Sequence, residues 1–343
     1  MHCELLVPAL LPARETLRAA LAGLRLPALE MLLARGRSNW SEALTPERWL
    51  VEAFDEEDAP LAAGALTVLA EGAEAGGGPG EAHWVRADPV HLRLHGDVLT
   101  LIPGAAFGVS RTEAEALCET LGRHFAGTLS LYPLHPERWC ARLESDVAVA
   151  SESPFAVAGA DLDTHLGDAS DTRGWHALLN EIQMALHDHP VNRAREQRGE
   201  PPVNSLWLWG AGAAPASARG PWQSVSADEP VARGLARLAR MRHRPLPASA
   251  DEWLARSPED GRHLLVLDAL RAAGSLGDAE AYVEQLRTLE ARWFGPLLAA
   301  LRAGRVGMVT LQVPDAAQAL SFETIHGDLR RFWRRVRALE SYA

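Results

Sequence analysis

The residues best suited to chemistry stand in one stretch, 187–212, with the sequence HDHPVNRAREQRGEPPVNSLWLWGAG. An arginine can take an anion through two parallel N–H bonds, and a short helix opening at Pro190 would present backbone N–H groups at its positive end. His189, Asn192, Arg195 and Asn204, joined by Arg93 and Arg138 from neighbouring strands, are therefore candidate ligands for a phosphate or a carboxylate. The same residues have structural uses. The two asparagines can tie a turn to a strand through side-chain to backbone bonds, and the arginines can sit in ion pairs. Trp207 and Trp209, two residues apart on one strand, share a face and either stack on a planar ligand or fill an interior.

Residue types close off other chemistries. No lysine occurs, so the 34 Lys plus Arg residues are all arginine, which rules out a lysine Schiff base and a P-loop lysine. Cys3, Cys118 and Cys140 are scattered with no C-x-x-C spacing, so neither a disulfide framework nor a thiolate zinc site is expected. His187, Asp188 and His189 are consecutive at a helix end and point in different directions, which does not make a three-ligand metal site. His135 and Cys140 are separated across Pro136 and have no reason to form a dyad. There is no G-x-S-x-G elbow, no G-x-G-x-x-G after a strand and no H-E-x-x-H. No catalytic residue and no metal ligand is assigned from these patterns.

The chain has 343 residues, 47% of them apolar, enough for roughly two domains, each with its own core. Acidic residues number 45 and the net charge is −11, the wrong sign for nucleic acid or anionic lipid. The expected partner is a small molecule or a protein, with neither nucleic acid nor membrane. No run of about 18 apolar residues is present. The first residues lack a basic stretch and a cleavage site, so a cytoplasmic location is expected.

Positioning these residues requires alternating strands and helices. Residues 5–11 read as a buried strand, 13–33 as two helices around Pro27, and 45–69 as continuing helix. The Gly-rich run 71–82 reads as a domain boundary or a mobile loop. Strands are expected at 90–94, 98–102, 129–132, 139–143, 203–209, 263–267 and 307–313. Helices are expected at 111–125, around 175–186, and at 279–301 and 321–339. Ser110 with Glu113 three residues on forms a capping-box signature. Arg330, Arg331, Arg334, Arg335 and Arg337 would then complement the dipole of the closing helix.

His189, Pro190, Val191, Asn192, Arg195, Gly199, Pro202, Asn204, Gly210 and Gly212 together resemble the end of the inserted domain of cofactor-independent phosphoglycerate mutases of the archaeal type. The chain also resembles, over more of its length, a group of bacterial RpfE-type regulatory proteins that share V-N-S-L-W-L-W-G. The mutase resemblance implies an α/β fold with an alkaline-phosphatase-like core sheet flanked by helices and an inserted smaller α+β domain. The implied boundaries are 1–84 and 214–343 for the core and 85–213 for the insertion.

The mutase resemblance also implies a serine or threonine nucleophile and two metals held by Asp and His. The first strand here ends in ELLVPALLP with no aspartate, and the stretch LRAAGSLGD at 270–278 matches a T-D-x-A-G-H-x-G-D segment with Arg271 at the Asp position and Ser275 at the His position. Gly274, Gly277 and Asp278 match, and in the V-P-D-A-A-Q stretch that follows the strand at 307–313 Asp315 is the only candidate. Arg271 and Ser275 are thus degenerate metal-ligand positions, and a guanidinium does not ligate a divalent cation. The expected function is non-catalytic, a regulatory or ligand-sensing role with no cofactor. Two alternatives stay open: a divergent phosphoglycerate mutase using manganese, magnesium or zinc, and a structural scaffold.

Overall fold

Residues 3–6 are buried without a break because their strand runs parallel to a neighbour on each side, so both of its faces are covered. The computed structural model describes residues 1–12, 14–54, 60–72, 82–143, 152–162, 172–256, 260–315 and 318–342. Among them twelve strands follow in order: β1 (His2–Leu6), β2 (Arg37–Ser41), β3 (Trp84–His95), β4 (Val98–Pro103), β5 (Leu129–His135), β6 (Arg138–Leu143), β7 (Ser205–Gly212), β8 (Ser224–Ser226), β9 (Arg242–Arg244), β10 (Arg262–Val266), β11 (Met308–Val313) and β12 (Ala319–Ile325). The chain gathers into two compact units, Met1–Glu57 with Ser217–Ala343, and Asp58–Ala216.

The first unit is built on a seven-stranded sheet of order β2-β12-β11-β1-β10-β8-β9. β11, β1, β10, β8 and β9 are parallel, and the β12 and β2 pairings are antiparallel. Cys3, Leu5, Val7 and Leu265 share a core with residues of the helices Pro27–Arg35, Ala279–Leu289 and Gly295–Arg302. Leu6, Leu264 and Val266 alternate with them, so they point to the other face, and they too are buried. The helix expected at 279–301 contains a π-helical turn, Glu290–Phe294. Pro296 lacks the N–H that an α-helix would direct back to Arg292, and the wider turn absorbs that loss. Glu290 also accepts from the N–H groups of Ala28 at 2.7 Å and Leu29 at 3.0 Å, capping a helix whose own N-cap residue, Leu26, offers no side-chain acceptor.

Two expected helices are corrected. The segment 321–339 is not helical: β12 pairs with β11 from Leu320 to Ile325, followed by a 3₁₀ turn, His326–Arg330. The β-branched pair Thr324 and Ile325 and the alternating burial of Ser321 to Thr324 suit a pleated ladder. The dipole account of the arginines falls with the helix. Arg331 instead pairs with Asp328 at 2.7 Å, and Arg334 donates to the carbonyl of Gly36. The helix expected at 45–69 is two helices, Pro46–Ala53 and Ala63–Glu71, since Pro60 removes a donor and disfavours helix before it. The Gly-rich run expected as a boundary lies, at 73–81, outside the described residues.

The second unit is an antiparallel sheet of order β4-β3-β6-β5, with β7 also pairing β3. The helix Ala63–Glu71, which the sequence places with the first part of the core, packs within this unit, where Thr67 receives a bond from Arg86 at 3.3 Å. The helix Arg111–His124 starts at Ser110 with the expected capping box. Of the described residues, no helix is long and apolar enough to cross a membrane.

Candidate functional site

Pro190 starts the helix Pro190–Gln197, and His189 caps it. The Nδ1 of His189 accepts from the N–H of Val191 at 3.2 Å, while Nε2 lies 3.0 Å from the Thr120 hydroxyl. Burial, helped by the charge of Arg123, holds this imidazole below its ordinary pKa, so the neutral ring that caps the helix is the favoured form. Asn192 is 2% exposed; its Nδ2 donates to the carbonyls of Leu186 at 2.9 Å and Val203 at 2.8 Å, and its Oδ1 accepts from the N–H of Val203 at 2.9 Å. Asn204 does the same for a strand end, accepting from the Leu92 N–H at 2.7 Å and donating to the Leu92 carbonyl at 2.8 Å. It imitates one more residue of sheet.

Arg195 is the most enclosed charge of this element. Its Nη1 donates to Glu113 at 2.9 Å, its Nε to the carbonyl of Pro201 at 2.8 Å and its Nη2 to that of Gly108 at 2.9 Å, with the guanidinium over the Phe107 ring. Glu113 meanwhile closes the capping box and takes Arg198 on its other oxygen at 2.8 Å. Burial pushes the Glu113 carboxyl up, but the bonds from Ser110 and the charges of Arg195 and Arg198 more than offset this and hold it below the usual range. The donors that His189, Asn192, Arg195 and Asn204 would offer an anion are committed to the unit itself. Arg93 is exposed opposite Thr100, and Arg138 pairs with Glu71 at 2.8 Å. Trp207 and Trp209 are buried, with indole N–H groups donating to the Glu152 carbonyl at 3.0 Å and to Asp88 at 2.7 Å.

In the first unit the carboxyl ends of the parallel strands are the natural place for a site, because loops and helix starts converge there. Arg271 opens a short helix, Arg271–Leu276, a few residues beyond β10, and its guanidinium pairs with Glu47, itself 2% exposed. The Ser275 hydroxyl donates to the Ala272 carbonyl at 3.0 Å. The three matching residues are structural. A side chain at Gly274 would meet the Ala9 methyl at 2.9 Å, Gly277 ends the helix with φ +75°, and Asp278 caps Ala279–Leu289 by accepting from Ala281 at 3.1 Å. The carbonyl of Asp315 accepts from Leu44 at 3.0 Å.

Two acids the sequence reading missed gather at this edge. Glu229, just past β8, caps the helix Pro230–Leu238 by accepting from Val231 at 3.0 Å and Ala232 at 2.7 Å. Burial pushes its carboxyl up to about 7, the charge of Glu47 adds to the rise, and the two N–H bonds and Arg271 oppose it. Among the described residues, one oxygen of Glu47 is buried with no hydrogen-bond partner. Each acid has a sequence signal, a residue able to cap just before a proline: T-P-E at 45–47 and E-P at 229–230. Among the described residues, no three His, Cys, Asp or Glu side chains are grouped so as to hold a metal ion.

No family model matches the chain. The 2,3-bisphosphoglycerate-independent phosphoglycerate mutase of Methanosarcina acetivorans is 24% identical over 237 residues, 63% of this chain and 59% of that one. Its counterpart in Methanopyrus kandleri is 32% identical over 169 residues, 45% of this chain and 37% of that one. The chain therefore spans about three-fifths or less of the length of these relatives. In shape it is similar to the solved PH0037 protein of Pyrococcus horikoshii, with a TM-score of 0.54 over 94% of this chain and 87% of that one at 13% identity, a likeness of fold alone. The fold is of the expected α/β class, a core sheet flanked by helices with a smaller α+β unit. In sequence the chain is distantly similar to cofactor-independent phosphoglycerate mutases.

Proposed function

We propose that this protein is a phosphoglycerate-mutase-like protein that works by binding or regulatory contact, in the manner its RpfE-type resemblance implies, rather than by phosphoryl transfer. One observation carries the reading: where the resemblance calls for a metal-binding aspartate, Arg271 places a permanent positive charge and pairs it with the buried Glu47. Guanidinium has no lone pair to give a cation, and the Ser275 hydroxyl, bound to its own helix, replaces the imidazole. These residues do not fit manganese, magnesium or zinc, and no reaction step is derived through a metal. A phosphorylated small molecule or a protein is the partner, and the cytoplasm the location, that go with this reading.

A second reading, a divergent mutase, draws on Glu229. A carboxyl that titrates near neutrality beside Glu47 has the acidity of a general acid or base.

The deciding experiment is interconversion of 3-phosphoglycerate and 2-phosphoglycerate by the purified protein with and without manganese, beside a mock purification and a metal analysis after dialysis. The expected result is no turnover above the mock and no stoichiometric metal. Metal-dependent turnover abolished by Glu229→Gln overturns the proposal in favour of the enzyme.

A further inference from the structure

A cavity of about 300 Å³ opens in the first unit beside the edge of the sheet, on the face where the helix Ala250–Ala255 lies. Its construction follows from strand register. His263 of β10 stands opposite Ser224 of β8, and Ser224 opposite Arg242 of β9, so the three form one row across adjacent parallel strands. One step along, Leu265, Ser226 and Arg244 form the next row on the same face. Arg242 and Arg244 therefore project to the side on which Ser224 and His263 meet, Oγ to Nδ1 at 2.8 Å. Trp253 closes the inner wall, with its ring edge-on to His263 at 5.8 Å, and Arg256 stands at the rim, paired with Glu252 one helical turn back.

We propose that this cavity binds a small phosphate-bearing ligand, inorganic phosphate or a phosphomonoester of a few carbons. Three guanidinium groups face a pocket floored by a hydroxyl and an imidazole, within a chain whose net charge is −11. Arginine forks match the oxygens of a tetrahedral dianion from several directions, whereas a flat monoanion uses only one fork. Among the described residues Arg244 has no acidic side chain against it, which leaves its fork for the ligand. The volume admits a phosphate with a short substituent along Trp253 but is at the small end for a nucleotide. Parallel strands hold Ser224, His263 and Arg242 at fixed spacing, so little ordering is left for the ligand to impose. The proposal is independent of the role assigned to Arg271.

The test is isothermal titration of the whole protein with inorganic phosphate, 3-phosphoglycerate and acetate at one chloride-matched ionic strength. Wild type is compared with Arg244→Ala, Ser224→Ala and the control Arg93→Ala. Saturable binding of phosphate or the ester, weakened about tenfold or more by Arg244→Ala and unchanged by Arg93→Ala, is the expected result. If the ester binds at least tenfold tighter than phosphate, the source is a phosphorylated metabolite; comparable affinities point to inorganic phosphate. Arg244 is exposed at a sheet edge, so its variant should fold, and an unchanged melting temperature without ligand checks this. The idea is overturned if neither anion saturates, if acetate binds equally well, or if both pocket variants bind like wild type.

Discussion

Arg195 donates through Nη1 to Oε2 of Glu113 across 2.9 Å and 82 residues of sequence, joining the helix that follows Pro190 to the helix that Ser110 starts. Removing the guanidinium would leave Glu113 short of a partner and three carbonyls, those of Pro201, Gly108 and Phe107, without their donor. Breaking a buried pair in this way costs about 3–5 kcal/mol, and the partial exposure of Glu113 points to the lower end. Arg195→Ala should lower the urea midpoint accordingly. Arg195→Lys should recover only part of it, since one ammonium does not span all these acceptors. A loss below about 1 kcal/mol would show that the guanidinium is not structural, and the anion-ligand reading of Arg195 would return.

Glu229 predicts a pH dependence of opposite sign to that of most carboxylates. Its folded pKa of about 7 lies above the ordinary value of 4.5, so the folded state holds the proton more tightly than the unfolded chain does. Its contribution to stability is complete below about pH 4.5 and is lost as pH rises through 7, on the order of 3 kcal/mol in all. Glu229→Gln keeps an acceptor for the helix end but does not titrate. The difference in unfolding free energy between variant and wild type should therefore widen in the variant's favour from pH 5 to 8. A difference that stays flat across this range would place the Glu229 pKa back in the ordinary region.

What the sequence disclosed depended on how local the cause was. Ser110 and Glu113 are three residues apart and their capping box was legible. Residues 321–339 misled because their apolar spacing fits a helix nearly as well as a strand, and the partner that decides, β11, lies before them in the chain. The H-P-V-N element was recognised as a unit, but the destinations of its donors were not readable: Asn204 reaches back to Leu92, and Arg195 to Glu113. Beyond β10, Arg271 and Ser275 were legible as departures from the mutase-like pattern, yet Glu47, 224 residues from Arg271, had no signal linking the two.

Glu290 is expected to act as a cap supplied by another helix. Its carboxylate takes two N–H groups at the start of Pro27–Arg35, where Leu26 offers no side-chain acceptor, although burial pushes its own pKa up. Glu290→Ala should cost about 1–2 kcal/mol by thermal or urea unfolding, the usual range for loss of a helix cap. Glu290→Gln, which keeps one good acceptor, should cost less. Equal losses for the two would mean that charge at the helix end matters more than the bonds.

The pair Arg271 and Glu47 allows the sharpest separation of structure from function. Arg271→Ala strands a carboxylate that is 2% exposed and, among the described residues, has one oxygen already with no hydrogen-bond partner, so a loss of about 3–5 kcal/mol is expected. Glu47→Gln alone leaves Arg271, which is more exposed, and should cost less. If the two residues act chiefly on each other, the double variant Glu47→Leu with Arg271→Met should be nearly as stable as wild type, because a paired charge replaced by apolar side chains of similar size removes the desolvation cost along with the attraction. The same pair also bears on the proposal that no divalent metal is held here. Arg271→Asp restores an acid where the mutase-like segment has one, yet the Ser275 hydroxyl still stands in for the histidine. Equilibrium dialysis against manganese should therefore find no stoichiometric binding for wild type or for Arg271→Asp. Stoichiometric manganese on Arg271→Asp alone would show that this one arginine keeps the metal out, and that the rest of the ligand set survives around it.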